Sequence, residues 1–257
     1  MTEPAGALHA RNFEATHERL DLPEYERPQG LHPPMNSPGY KSTALRSPAR
    51  PLVLLPQRLT EVTGPLFGSE RVTESEADLT RAGPGAEEAI GQRIIVHGRV
   101  LDSDGRPIPD TLVEVWQANA AGRYRHKVDT WPGPLDPNFT GGGRVVTDEQ
   151  GWYRFTSIKP GAYPWGNHYN AWRPAHIHFS LLGRAFTQRL VTQMYFPDDP
   201  LFEYDPIYNS IPDPKVRQRL VSRFDMEHTR PDWALAFRWD IVLRGTGRTP
   251  MEEPHED

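Results

Sequence analysis

Residues 93–101 read Arg-Ile-Ile-Val-His-Gly-Arg-Val-Leu, RIIVHGRVL. The stretch is rich in β-branched residues and stops at Asp102-Ser-Asp-Gly105, a turn signal, so it reads as a strand. Downstream the same grammar repeats. In Thr111-Leu-Val-Glu-Val-Trp-Gln117, Val113 and Val115 fall on one face and Leu112, Glu114 and Trp116 on the other. The stretch 145–155 looks like a hairpin around Asp148-Glu-Gln-Gly151. Residues 175–182, 186–196 and 233–243 read as further strands. Six or more short strands separated by turns predict an all-β chain folded as an antiparallel β-sandwich with long loops. One short helix is expected, with Asp213 as its cap, Pro214 in its first position, and Val216, Leu220 and Val221 as its apolar face. Gly141-Gly-Gly143 is expected to be a flexible loop.

Upstream of residue 90 the pattern is different. Eleven prolines fall in residues 1–90, hydrophobic periodicity is slight, and Leu52–Leu55 and Leu66-Phe67 stand as isolated apolar anchors. This predicts an extended proline-rich N-terminal arm over 1–90 that makes subunit contacts, followed by a sandwich domain over 91–257.

Composition narrows the function. The chain of 257 residues carries a net charge of −5 and shows no basic patch of the kind nucleic acid requires. It has no cysteine, which excludes disulfides, thiolate metal sites and cysteine nucleophiles. The longest aliphatic run, Leu52–Leu55, is far too short to cross a bilayer, and the first residues carry no apolar signal segment. A soluble cytoplasmic protein is expected. Twenty-seven prolines are about twice the usual share, yet seven Trp, nine Tyr and ten Phe supply a core.

The chemistry-bearing stretch is Trp172-Arg-Pro-Ala-His-Ile-His-Phe179. Side chains at i and i+2 of a strand share a face, so His176 and His178 project together and both can reach one metal ion. Taken alone, the pair is equally readable as two polar residues on a solvated face. Pro174, Phe179 and Leu181 favour a strand inside the body. No third histidine has an obvious spacing, since His168 lies upstream in an expected loop and His126 is distant. Tyr163, in Gly161-Ala-Tyr-Pro-Trp165, and Tyr124, in Gly122-Arg-Tyr-Arg-His126, are further candidates, each also readable as an ordinary packed tyrosine. A phenol titrates near pH 10, so only a strongly Lewis-acidic ion would hold it as phenolate at neutral pH. Ferric iron is such an ion and also accepts imidazole.

Together, Trp172–Phe179 and Pro160-Gly-Ala-Tyr-Pro-Trp165 resemble the intradiol ring-cleaving dioxygenases, above all the beta-type chains that act on protocatechuate. The resemblance extends over Pro38–Lys41, Arg46–Pro48, Glu114–Asn119, Gly122–His126, Thr192–Pro197 and Asp205–Ser210. It implies a mononuclear non-haem Fe(III) centre with Tyr124, Tyr163, His176 and His178 as ligands. It implies Arg173 and Gln193 as a polar catalytic pair beside Tyr163. Tyr40, Trp116, Trp165, Arg173 and Ile207 are implied to line the substrate pocket. Gly166 stands where some relatives carry Arg, which bears on how a substrate carboxylate is held. The implied reaction is cleavage of protocatechuate (3,4-dihydroxybenzoate) by O2 to 3-carboxy-cis,cis-muconate in aromatic catabolism, within a large hetero-oligomer containing a homologous alpha subunit. The alternatives are a catechol or hydroxyquinol intradiol dioxygenase, or a metal-free structural subunit or binding module of the same fold.

Overall fold

A computed structural model describes residues 30, 32–53, 72–83, 85–166, 169–182 and 189–251. The anchors at 54–55 and 66–67, the first twenty residues, His168, and residues 186–188 of the expected 186–196 strand lie outside them.

Strand β1 is Arg93–Leu101. Ile94, Val96 and Val100 point into the main core, while Ile95 packs on the other face with Ala234 and Ala236, so the strand is buried on both sides. The strands that follow are β2 (Leu112–Trp116), β3 (Gly142–Val146), β4 (Trp152–Ile158), β5 (Tyr163–Trp165), β6 (Ala171–Arg173), β7 (His176–Leu182), β8 (Arg189–Tyr195), β9 (Arg223–Arg230), β10 (Ala234–Arg238) and β11 (Ile241–Val242). They form two stacked sheets and a small hairpin. One sheet runs β11-β1-β10-β9, with β4 on the other side of β1; the second runs β3-β2-β7-β8; β5 and β6 pair alone. Between the sheets, Phe179 lies 5.8 Å from Tyr153, 5.9 Å from Phe155 and 4.9 Å from Trp239, ring centroid to centroid.

The expected sandwich is present, with four differences in detail. The first sheet is mixed, because β1 runs parallel to β10 and to β11. Residues 145–155 are not a hairpin. The turn at Asp148–Gly151 exists, but β3 pairs with β2 in one sheet and β4 with β1 in the other, so the chain crosses the core there. The 141–143 glycines are not a free loop, since Gly142 and Gly143 pair with Trp116 and Val115. A Cβ on Gly143 would stand 2.3 Å from the Glu76 carbonyl, so only glycine lets the 74–79 segment lie on β3. The expected 233–243 strand is two, β10 and β11, interrupted at Trp239-Asp240 while still tracking β1.

Strands β5, β6 and β9 were not expected, and among the described residues two further short α-helices join the predicted one. These are α1 (Thr43–Arg46), α2 (Pro206–Asn209) and α3 (Pro214–Arg217). In α3 the Asp213 side chain accepts from the Lys215 amide, as predicted, and Val216 is buried; Leu220, also buried, lies in the 3-10 turn that follows, and half-buried Val221 lies beyond it.

Segments upstream of β1 are fastened to the sandwich. Leu79 is in the core, its amide donating to the Thr156 carbonyl, and Glu76 pairs with Arg144 at 2.5 Å. Further upstream, the Thr43 hydroxyl accepts from the Ser37 amide and turns to the carbonyls of Ser37 and Tyr40, knotting a turn that buries Tyr40.

Candidate metal centre and active site

Strand register assembles the site. Ile177 and Phe179 face the core, so His176 and His178 project from the outer face of the second sheet. Across β2, β7 and β8, Trp116 aligns with His178 and His178 with Gln193; in the next row His176 aligns with Tyr195. Residues in one row share a face, so these five side chains stand together. The Trp116 indole stacks on the His178 imidazole, with centroids 4.9 Å apart and planes 2° from parallel.

Both histidines are buried, and His176 has its tautomer fixed. Its Nδ1–H donates to the Pro174 carbonyl at 2.6 Å, leaving the Nε2 lone pair directed into the site.

Two tyrosines arrive from outside the sheet. Tyr124 follows a turn at Gly122, whose φ of +75° belongs to the left-handed region. A Cβ there would meet the Ala162 carbonyl at 2.4 Å, so glycine allows the Tyr124 loop to press against the Tyr163 strand. Tyr163 lies on β5, opposite Arg173 on β6. The Tyr124 hydroxyl lies 3.0 Å from His178 Nε2 and 3.4 Å from His176 Nε2; the Tyr163 hydroxyl lies 3.5 Å from His176 Nε2. Separations of 3.4 and 3.5 Å are long for hydrogen bonds. Donor atoms bound about 2.0–2.2 Å from one ion are separated by roughly 3 Å or a little more, so this set of two phenols and two imidazoles fits a single ion. Phenolate and imidazole donors without thiolate suit ferric iron.

Behind these donors sits a buried polar clamp. Arg173 donates through Nε to Asp205 Oδ2 at 3.3 Å, and through Nη2 to Gln193 Oε1 and, at 3.4 Å, to the Tyr195 hydroxyl. Tyr195 in turn donates to Asp205 Oδ2 at 2.9 Å. The other Asp205 oxygen accepts the Ile207 amide at 2.8 Å and so caps α2. Asp205 is wholly buried and Arg173 is 3% exposed, so the pair is screened from solvent. Gln193 Nε2 is a buried donor with no hydrogen-bond partner among the described residues.

The hairpin of β5 and β6 forms one wall. Arg173 lies 5.8 Å over the Trp165 ring, and Tyr40 lies 5.1 Å from Trp165 on its other approach. Ile207 does not stand among the donors. It lies on α2 and lines a void of about 20 Å³ together with Gln193 and Tyr195. His126 is exposed. Asp205 and Tyr195 were not singled out from sequence. Tyr195 carried a signal, since it is two residues from Gln193 on one strand.

The Dioxygenase family profile matches residues 62–245, and the profile for the N terminus of the protocatechuate 3,4-dioxygenase beta subunit matches residues 25–58. The chain is 56% identical over 221 residues to the protocatechuate 3,4-dioxygenase beta chain of Burkholderia cepacia, covering 86% of this chain and 94% of that one. It belongs to the intradiol ring-cleaving dioxygenases. Other intradiol dioxygenases are more distant. The protocatechuate 3,4-dioxygenase alpha chain of Pseudomonas putida is 29% identical, over 77% of this chain and 97% of that one. The fold matches the crystal structure of 3-chlorocatechol 1,2-dioxygenase from Rhodococcus opacus 1CP with a TM-score of 0.51 at 23% identity, covering 70% of each chain.

Proposed function

We propose that this intradiol dioxygenase is the iron-bearing chain of a protocatechuate 3,4-dioxygenase, with Tyr124, Tyr163, His176 and His178 holding one non-haem Fe(III). The observation that carries the reading is the convergence of two phenol oxygens and two imidazole Nε2 atoms at 3.0–3.5 Å. The substrate assignment rests on the 56% identity to the Burkholderia cepacia beta chain. The reaction joins protocatechuate and O2, breaks the ring bond between the two hydroxyl-bearing carbons, and leaves both oxygen atoms in 3-carboxy-cis,cis-muconate.

When bound, the ferric ion supplies Lewis acidity that keeps phenol and catechol oxygens deprotonated and opens the ring to O2. The chain's own residues do the rest. Two catechol protons must leave: the Tyr163 oxygen, phenolate when the ion is bound, would take one, and a solvent-derived hydroxide would take the other. The Tyr163 hydroxyl lies 3.5 Å from the His176 Nε2 atom, within reach of the ring space. Arg173, opposite Tyr163 in the hairpin, supplies fixed positive charge beside that oxygen, and the Asp205 carboxylate and Gln193 amide orient it. The unpartnered Gln193 Nε2 is a buried donor for bound substrate or its ring-opened product. Trp116 and Trp165 sandwich the ring space and exclude water, and Tyr40 approaches from the arm toward the ring carboxylate. Ile207 contributes by backing Gln193. Gly166 has open space where a side chain would begin, so Tyr40 rather than a residue at 166 orients the carboxylate.

The same reading includes a homologous alpha chain as partner, supported by relatives named as alpha chains, and a division into an arm over 1–90 and a catalytic sandwich over 91–257. A cytoplasmic location belongs to it as well; no helix among the described residues is long and apolar enough to cross a membrane. The visible spectrum of the purified protein, co-expressed with its neighbouring partner chain, is the test. The expected result is a broad phenolate-to-iron band that shifts when protocatechuate is added without oxygen. A colourless protein despite full iron supply would refute the assignment and favour a metal-free subunit.

A further inference from the structure

On the outer face of the other sheet, three side chains meet that play no part in this chemistry. His97 Nε2 lies 2.9 Å from Asp225 Oδ2, and His228 Nδ1 lies 3.0 Å from the same oxygen. The two imidazoles are 4.3 Å apart, centroid to centroid, and the three donor atoms lie within 4.8 Å of one another. We propose that His97, Asp225 and His228 form a second metal site, taking a divalent late first-row transition ion such as Zn2+.

The placement is built by the fold. His97 is on β1 and Asp225 on β9, two strands apart with β10 between them. In the row of His97, β10 carries Arg238, whose guanidinium is drawn to Asp240, and in the row of Asp225 it carries Ala236, only a methyl group. Long side chains from the flanking strands can therefore meet above it. The register of β9 against β10 shifts between Ala234 and Ala236, and this bulge turns His228 back to the side of Asp225. Asp225 is held in advance. Its Oδ1 accepts the amides of Glu227 at 2.9 Å and His228 at 3.2 Å, which leaves Oδ2 for the two rings. The Thr229 hydroxyl donates to the Asp225 carbonyl at 2.8 Å and locks the bulge from below. Such outer hydrogen bonds orient the ligands of metal sites.

The donor set suits the ion. Two imidazole nitrogens and one carboxylate oxygen match zinc and its neighbours in the first transition row better than calcium or magnesium. Ligand atoms about 2.0–2.1 Å from a tetrahedral ion stand roughly 3.3 Å apart, so each imidazole nitrogen needs only a few tenths of an ångström of spreading from Asp225 Oδ2, and turning the exposed His228 ring sets the spacing between the two nitrogens. Each ring nitrogen facing Asp225 now shares a hydrogen with the carboxylate; on binding, that hydrogen moves to the other nitrogen of the same ring. Arg238, the nearest cation on β10, is engaged by Asp240 at 2.9 Å. His228 is the exposed member of the three and leaves the outer side open for water as a fourth ligand. The ion would tie edge strand β9 to β1 across β10, and it is independent of the iron centre, which faces away from the opposite sheet.

The test uses the full chain, iron-loaded and with its partner, dialysed against Zn2+ and then against metal-free buffer. Zinc and iron are counted in the same sample, for the wild type and for His228→Ala, an exposed position whose loss leaves the core intact. The expected result is one zinc per chain in addition to iron, with thermal stabilisation by zinc. In His228→Ala zinc binding should weaken at least about 100-fold, the upper end of what losing even an outer hydrogen-bond partner costs, with iron and dioxygenase activity unchanged. Equal zinc uptake by wild type and variant, or no zinc beyond the iron content, would overturn the proposal.

Discussion

Asp205→Asn isolates the clamp behind the metal centre. The substitution keeps the side-chain volume, so it opens no cavity. It removes the Asp205 carboxylate that is hydrogen-bonded to Arg173 and turns one acceptor into an NH2 group. In the native site Oδ1 accepts from the Ile207 amide, while Oδ2 accepts from Arg173 and Tyr195. The asparagine carbonyl can serve one of those sides, and the cap of α2 is the nearer claim. Its NH2 then faces the guanidinium, donor against donor. Leaving a buried charge without its partner costs about 3–5 kcal/mol. At roughly 2–4 °C per kcal/mol for a chain of this size, the melting temperature should fall by about 6–20 °C. Loss of one oriented charge at the reacting centre costs about 3 kcal/mol of barrier, or roughly 100-fold in kcat. The assay pairs denaturant unfolding with steady-state oxygen uptake on protocatechuate, and records iron content and the visible band of each preparation. Retained iron and colour with depressed kcat would mark Asp205 as a positioning residue acting through Arg173. A variant within twofold of wild-type kcat and within 1 kcal/mol of its stability would refute the clamp.

Other perturbations have equally definite outcomes. Tyr163→Phe should keep iron but lose part of the visible band and bind catechols more slowly in stopped flow, whereas unchanged binding kinetics would remove Tyr163 as a base. His178→Ala should release iron, and a fully loaded, coloured variant would strike it from the ligands. Gly143→Ala must displace the Glu76 carbonyl and should cost about 2 kcal/mol in denaturant unfolding, as overpacking does. The Arg144 hydrogen bond holds the Glu76 carboxyl below the ordinary glutamate range although burial opposes it, so the pair stabilises the fold above about pH 4.3 and loses that effect as pH falls further. Glu76→Gln should therefore be less stable than wild type by under about 1 kcal/mol at pH 7, with the gap closing below about pH 4. A gap that persists in acid would show that the charge is not its cause.

What could be read from sequence follows a physical line. β1 was legible from end to end, because its β-branched residues Ile94–Val96 and Val100 are buried and the Asp102–Gly105 turn marks its end. β9 was not: Arg223-Phe-Asp-Met-Glu-His-Thr-Arg230 is an edge strand exposed on most positions, so burial leaves no period in it. Asp148–Gly151 announced a turn correctly, but a turn does not say whether its two strands join one sheet or cross to another. The glycines at 142–143 read as loose because the reason for them, the 74–79 segment lying on β3, is a tertiary contact. At the site, the shared face of His176 and His178 followed from strand geometry, while joining them to Tyr124 and Tyr163 required the family resemblance. The Asp205 clamp lay beyond both, since it depends on three segments meeting. His97 was quoted within β1, yet its partners are more than a hundred positions away.

The parallel pairing of β1 bears on how the chain is made. The contact from Arg93 to the Trp233 carbonyl spans 140 positions. During synthesis, β2, β3, β7 and β8 can pair as soon as residue 195 is available, but β1 then has a neighbour only on its β4 side. Its other edge, Ile94 to Val100, stays open until β10 and β11 emerge, and an open apolar edge invites pairing with other chains. Pairing over such separations is also slow. Translation arrested between β8 and β10 should thus yield a nascent chain with the β3-β2-β7-β8 sheet already paired and an aggregation-prone strand beside it. Strands β10 and β11 act as a cover that the ribosome delivers late, so folding yield should depend on how soon those residues are released.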